Sequence, residues 1–135
     1  MSVVSALSPP RTGVAVHLER LSKSYRDGPQ TVVALDAVTL SIQTGSFTAV
    51  MGPSGSGKST FLNCASGLDL PSSGRAVVGG VDLTGMSADA LTRFRREHVG
   101  FVFQGYNLIG HLTVAENVEL PLTLAGIRPD GDRLR

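Results

Sequence analysis

Gly52-Pro53-Ser54-Gly55-Ser56-Gly57-Lys58-Ser59-Thr60 sets glycines, a lysine and hydroxyls in the spacing G-x-x-x-x-G-K-[ST]. Those residue types in that order suit the binding of a polyphosphate. Gly52, Gly55 and Gly57 let the backbone curl tightly and turn successive N–H groups toward phosphate oxygens. Lys58 brings a cation to the β- and γ-phosphates, and the Ser59 hydroxyl suits a magnesium ion that bridges them. Ser54, Ser56 and Thr60 complete the candidate contacts within the loop. Lys23 and Lys58 are the only lysines, so a lysine at this position carries more information than it would in a lysine-rich chain.

Such a loop needs a strand to deliver it and a helix to receive it. Phe47–Met51 is a short apolar run next to Gly45, which predicts a buried strand. Residues Thr60 to Ser66 predict a helix that stops at Gly67, and its positive end adds to the attraction for phosphate. A plain glycine-rich turn is the alternative, and the strand and helix signals on both sides favour the phosphate site.

The rest of the chain reads as an ordered alternation of elements. Val14 to Leu21 alternates like a strand, Asp27-Gly28-Pro29 is a turn, and Val32 to Ile42 predicts one or two further strands. A loop over Asp69 to Gly74 leads into a strand at Arg75 to Val78, which Gly79-Gly80 turns back. Ser87 suits the cap of a helix over Ala88 to Glu97, with Ala88, Leu91 and Phe94 on one face. Val99 to Phe103 predicts a compact strand ending at Gln104. Thr113-Val114-Ala115-Glu116 has the form of a capping box, and Pro121 is expected to break or kink the helix that follows within about two turns. Asp130 to Arg135 is polar and charged, and no internal repeat is visible.

Composition sets the bounds. At 135 residues and 41% apolar content there is room for one domain with a core. The formal net charge of +1 gives no global field for nucleic acid. Arg93, Arg95 and Arg96 form the only basic cluster, and they fall in the last turn of a predicted helix, where cations complement the dipole. Cys64 is the only cysteine; it suits a reducing compartment and reads as core packing. His98 and His111 lack metal-ligand company at useful spacing. No run approaches the ~18 apolar residues of a membrane span. Residues 1–13, with Pro9-Pro10 and several serines, read as a flexible leader without signal-peptide character.

The loop, the segment Val99 to Gln104 and the segment Leu112 to Leu122 together resemble the nucleotide-binding subunits of ABC transporters. Asn107-Leu108-Ile109 and Glu116 to Leu122 look most like the ATPases of bacterial lipoprotein-release and macrolide-export systems. The resemblance runs from about Val16 to Ile127. It implies an α/β fold: a P-loop NTPase core with an N-terminal antiparallel β layer and the start of a helical subdomain. By that reading residues 14–135 are an incomplete nucleotide-binding domain, with the helical subdomain beginning after about residue 104. The implied ligands are ATP and Mg2+. Tyr25 stands where the family places an aromatic that stacks on adenine. Gln104 stands where an amide touches magnesium or the attacking water, which makes Ser59 and Gln104 the implied metal contacts. Tyr106 to Leu112 would face the coupling helices of a membrane permease, although Gly105 and Gly110 depart from the bulkier residues and proline of the relatives. The implied partners are that permease and a second nucleotide-binding subunit, with no nucleic acid, at the cytoplasmic face of the cell membrane.

The same resemblance implies elements that this sequence does not contain. A Ser-Gly-Gly signature, an apolar strand ending in Asp-Glu, and a switch histidine all lie later in the family's pattern. Ser72-Ser73-Gly74, Gly79-Gly80 and Val81-Asp82 lack the right context. The isolated chain is therefore expected to have negligible ATPase activity, lacking a general base and a partner signature. An unpaired edge beside the loop's strand and marginal stability are also expected, with ATP stabilising the folded form. Three functions compete at this point: the N-terminal part of a transporter ATPase, a short form that holds ATP or docks on the permease without turnover, and a small kinase or GTPase. Neither Asn63, Asn107 nor Asn117 is followed by lysine, which removes the guanine-reading Asn-Lys-x-Asp of a GTPase.

Overall fold

A computed structural model describes residues 2–6, 13–105 and 107–127. The chain forms two compact units, Met1–Leu91 and Thr92–Arg135. Asp130 to Arg135 and Tyr106 lie outside the described residues.

The first unit is built on a four-stranded antiparallel sheet of order β3 (Gln30–Gln43), β2 (Val14–Asp27), β5 (Ser73–Val78) and β6 (Val81–Asp82). Its long hairpin pairs β2 (Val14–Asp27) with β3 (Gln30–Gln43), so the strand expected to end at Leu21 runs further. Gly28, at φ 59°, supplies the left-handed residue of the two-residue connection. β5 (Ser73–Val78) lies along the other side of β2 and turns through Gly79-Gly80 into β6 (Val81–Asp82).

The hairpin is bulged, and the bulge decides which side chains are buried. Leu18 and Leu21 are three residues apart, yet both are 0% exposed. An unbroken strand would send them to opposite faces. The register shifts between them, where Arg20 takes φ 46°, and this puts both leucines on the helix side. The displaced amides are satisfied by hydroxyls: Arg20 N–H donates to Thr39 Oγ1 at 2.9 Å, and Ala37 N–H donates to Ser22 Oγ at 2.9 Å.

β4 (Phe47–Met51) forms where the apolar run predicted a strand. Its partner is β1 (Ser2–Ala6), antiparallel, with Ser2 opposite Met51 and Ala6 opposite Phe47. This strand lies within the stretch expected to be a flexible leader and covers one edge of β4; residues 1 and 7–12 of that stretch lie outside the described residues. α1 (Lys58–Ala65) follows the loop. Its Phe61, Cys64 and Ala65 pack with Leu18, Leu21, Leu35 and Ala76 of the sheet into one buried cluster. At about 25 cal/mol per Å² of apolar surface, this contact holds the helix, and with it the loop, against the antiparallel layer.

α2 (Ala88–His98) starts at Ser87, whose hydroxyl accepts from Ala90 N–H at 3.2 Å. Leu91 and Phe94 are buried, but Ala88 is exposed, so the expected apolar face is narrower than three residues. In the second unit the His98 ring lies tilted at 39° to that of Phe94, 4.8 Å between centroids. α3 (Val114–Leu124) opens on the full capping box: Thr113 Oγ1 accepts from Glu116 N–H, and the Glu116 carboxylate accepts from Thr113 N–H at 2.7 Å. Pro121 does not end this helix, which continues to Leu124. Arg96, from the basic cluster, donates to Leu124 O at 3.1 Å and so satisfies a terminal carbonyl of α3.

The segment Val99 to Phe103, expected as a strand, is not one. It has no ladder partner among the described residues, Val102 is 99% exposed, and Phe101 and Phe103 stack on each other at 5.2 Å. Apolar pattern alone does not make a strand when nothing pairs with its backbone. Among the described residues no helix is long and apolar enough to cross a membrane.

Candidate nucleotide-binding site

β4 delivers Gly52 at its end, and the loop rises from there into α1. Gly52, Gly55 and Gly57 take φ values of 154°, 76° and 83°, a region that side chains with a Cβ rarely occupy. Gly57 is the N-cap of α1, and no side chain caps that helix. The first amides of α1 therefore have no partner within the helix and are available to an anion. The first turn carries no acidic residue to compete for them.

Two details show how the loop is held. Lys58 Nζ donates to Gly52 O at 2.9 Å and to Pro53 O at 2.7 Å, which folds the cation back across the base of the loop. Ser56 Oγ is buried and has no hydrogen-bond partner among the described residues. A buried hydroxyl without a partner costs about 1–3 kcal/mol. Its place inside a loop of converging amides fits a phosphate oxygen as the missing partner.

Tyr25, Val32, Val33, Ala34 and residues 54–60 line one cleft of about 350 Å³. The structure thus brings Tyr25, Ser54, Gly55, Ser56, Gly57, Lys58, Ser59 and Thr60 together, with Gly52 at the foot of the loop. Tyr25 is 40% exposed, and Val32, its register partner on β3, and Val33 offer apolar surface beside it. Those valines were not singled out in the sequence, where they read as strand interior. Gln104 lies exposed at a bend in the second unit. A larger cleft, about 480 Å³, opens around Glu19, Arg20, Asp36 and Arg75. It offers no comparable set of donors, since Arg75 is bound to Asp82 at 2.8 Å and faces Glu19 at 3.6 Å.

The sequence did not reveal what holds Tyr25. Its hydroxyl donates to Asp69 Oδ2 at 3.1 Å. Lys23 Nζ donates to Asp69 Oδ1 at 2.6 Å and to Leu70 O at 2.7 Å, and sits 5.1 Å over the Tyr25 ring. Burial pushes the Asp69 carboxyl up, but the hydrogen bonds from Lys23 and Tyr25 outweigh it and hold the carboxyl below its ordinary range. Burial, with a smaller contribution from the Asp69 charge, raises the Cys64 thiol to about 11.

Strand, glycine-rich loop, helix and adjoining antiparallel layer together define an α/β protein of the P-loop nucleotide-binding class. The chain belongs to the ABC transporter family, whose pattern it matches over residues 35–134. It is 49% identical over 115 residues to a macrolide export ATP-binding/permease protein MacB of Burkholderia pseudomallei, a match covering 85% of this chain and 18% of that one. It is 46% identical over 112 residues to MacB of Salmonella choleraesuis, covering 83% and 17%. Among solved structures, the ATP-binding cassette MJ0796, dimeric in a post-hydrolysis state with ADP and Pi, superposes with a TM-score of 0.79 at 43% identity. That match covers 87% of this chain and 51% of the cassette, so the chain spans about half of the solved cassette and under a fifth of the curated relatives.

Proposed function

We propose that this chain binds Mg-ATP in the cleft between Tyr25 and the loop, as the first part of a transporter ATPase. The observation that carries the reading is the loop itself: uncapped amides of α1, a buried Ser56 hydroxyl without a partner and the Lys58 ammonium converge on one cleft. The amides and Lys58 would hold the phosphates, Ser59 would hold the metal, and Tyr25 would stack on the base. Bound magnesium would neutralise charge on the phosphates. Among the described residues no carboxylate lines the cleft, which supports binding without turnover in this chain alone.

In the whole protein, ATP binding and hydrolysis would drive transport through a membrane permease, with a second nucleotide-binding subunit completing the site at the cytoplasmic face. The MacB relatives are named as ATP-binding/permease proteins and the cassette MJ0796 is dimeric, which supports both partners. The test is titration with a fluorescent ATP analogue in magnesium. Saturable binding, weakened at least tenfold by Lys58→Ala, is the expected result. Equal binding by wild type and variant overturns the site, and Lys58-dependent hydrolysis by this chain overturns the claim of binding without turnover.

A further inference from the structure

We propose that Asp69, with Lys23, is a positioning device that fixes the Tyr25 ring as a base platform at a set place relative to the phosphate loop. The inference rests on the reading of Tyr25 as that platform. A stacking contact needs only a flat face, but it contributes affinity only where the ring is already held when the base arrives. An exposed tyrosine on a strand is free about χ1 and χ2 unless its hydroxyl is tied down.

Here it is tied to the helix that carries the loop. α1 ends in a Schellman motif: Gly67, at φ 71°, donates to Cys64 O at 3.3 Å, and Leu68 N–H donates to Asn63 O at 2.9 Å. The Asp69 amide then also donates to Asn63 O, at 3.1 Å, which anchors the residue to the helix end by its own backbone. From there one carboxylate oxygen takes the Tyr25 hydroxyl and the other takes Lys23. Lys23 also sits over the ring, so the cation stands beside one face while Tyr25 still lines the cleft. The separation between base platform and phosphate loop is thereby set through a single helix, and not by the hairpin alone.

The charges make the assignment testable. Removing Asp69 leaves Lys23 as an uncompensated cation near the cleft, which by charge alone would favour anions. A loss of ATP affinity would therefore run against simple electrostatics and report on the ring. Binding of Mg-ATP and of Mg-tripolyphosphate is compared for the full chain and for Tyr25→Ala, Tyr25→Phe, Asp69→Ala and the Tyr25→Phe/Asp69→Ala pair. Tyr25→Phe and Asp69→Ala should each weaken ATP by about three- to tenfold, the range of one hydrogen bond. Tripolyphosphate should stay within about twofold, and the pair should be no weaker than Asp69→Ala alone. Tyr25→Ala should weaken ATP at least as much.

If Tyr25→Ala weakens ATP but Tyr25→Phe and Asp69→Ala do not, the positioning role falls and the platform stands. If Tyr25→Ala binds ATP as wild type does, the platform falls, and the positioning role with it. Equal losses of ATP and tripolyphosphate in Asp69→Ala would assign Asp69 to the fold of the loop and overturn the proposal. Tyr25→Phe removes one oxygen from an exposed side chain, so it keeps the test open should Asp69→Ala fail to fold.

Discussion

Gly57 meets two separate demands. Its φ of 83° disfavours any Cβ, and a Cβ built there would lie 2.4 Å from the Ala34 carbonyl oxygen on β3. Gly57→Ala should therefore lower the unfolding free energy by about 1–3 kcal/mol, read as a lower denaturant midpoint, and weaken nucleotide binding as well. Asp69 gives a pH prediction. Its folded pKa is the depressed one, so the stability it contributes is present in full above the unfolded value, about pH 4, and is lost as pH falls through the folded value. The gap in melting temperature between wild type and Asp69→Asn should narrow below about pH 4, and a constant gap would count against the pairing. Cys64, buried and with its thiol raised to about 11, should react with alkylating reagents only on unfolding. At this scale the loop was legible, because its chemistry is local in sequence. Asp69 was not: it meets Lys23 across 46 positions, and nothing in a turn-like Asp69-Leu70-Pro71 signals a tyrosine partner.

Among the elements, α3 shows both the reach and the limit of local rules. Its capping box formed as the sequence indicates, and Thr113→Ala should cost about 1 kcal/mol, seen as faster amide exchange over Val114 to Asn117. Unchanged exchange there would mean that contacts elsewhere hold the helix. Pro121 removes one donor but leaves the next bonds possible, and Ala125 N–H still reaches Pro121 O at 3.1 Å, so the helix passes through it. Asn117 was legible only as part of a family-like run. Its side chain accepts from Ile109 N–H at 2.8 Å and donates to Ile109 O, Leu112 O and Thr113 O, clamping the loop before the helix. The lost strand at Val99 to Phe103 has a similar cause. Periodicity reports which residues want burial, and it is silent on whether a neighbouring strand exists to pair with them. The bulge between Leu18 and Leu21 was hidden for the same reason, since a register shift is a property of two strands together.

For the molecule as a whole, a ligand that binds only the folded form should raise its stability by mass action. Mg-ATP at a hundred times its Kd should add about 2.7 kcal/mol, seen as an upward shift in melting temperature that Lys58→Ala abolishes. A shift of equal size in the variant would place the ligand elsewhere. The fold class was legible through the resemblance carried by the loop and the segments Val99 to Gln104 and Leu112 to Leu122. The pairing of β4 was not: Ser2–Ala6 lies along one of its edges, while among the described residues its other edge has no partner, as the missing strand led one to expect. The pentapeptide is too short to stand out beside Pro9-Pro10, and its pairing is decided by residues far down the chain. Ser2 lies opposite Met51, so β1 cannot complete its ladder until roughly 50 further residues have been made. At synthesis rates of about 5–20 residues per second, β1 waits some 2–10 s for its partner. During vectorial synthesis, the residue that precedes the loop is also the one that completes the ladder that β1 begins.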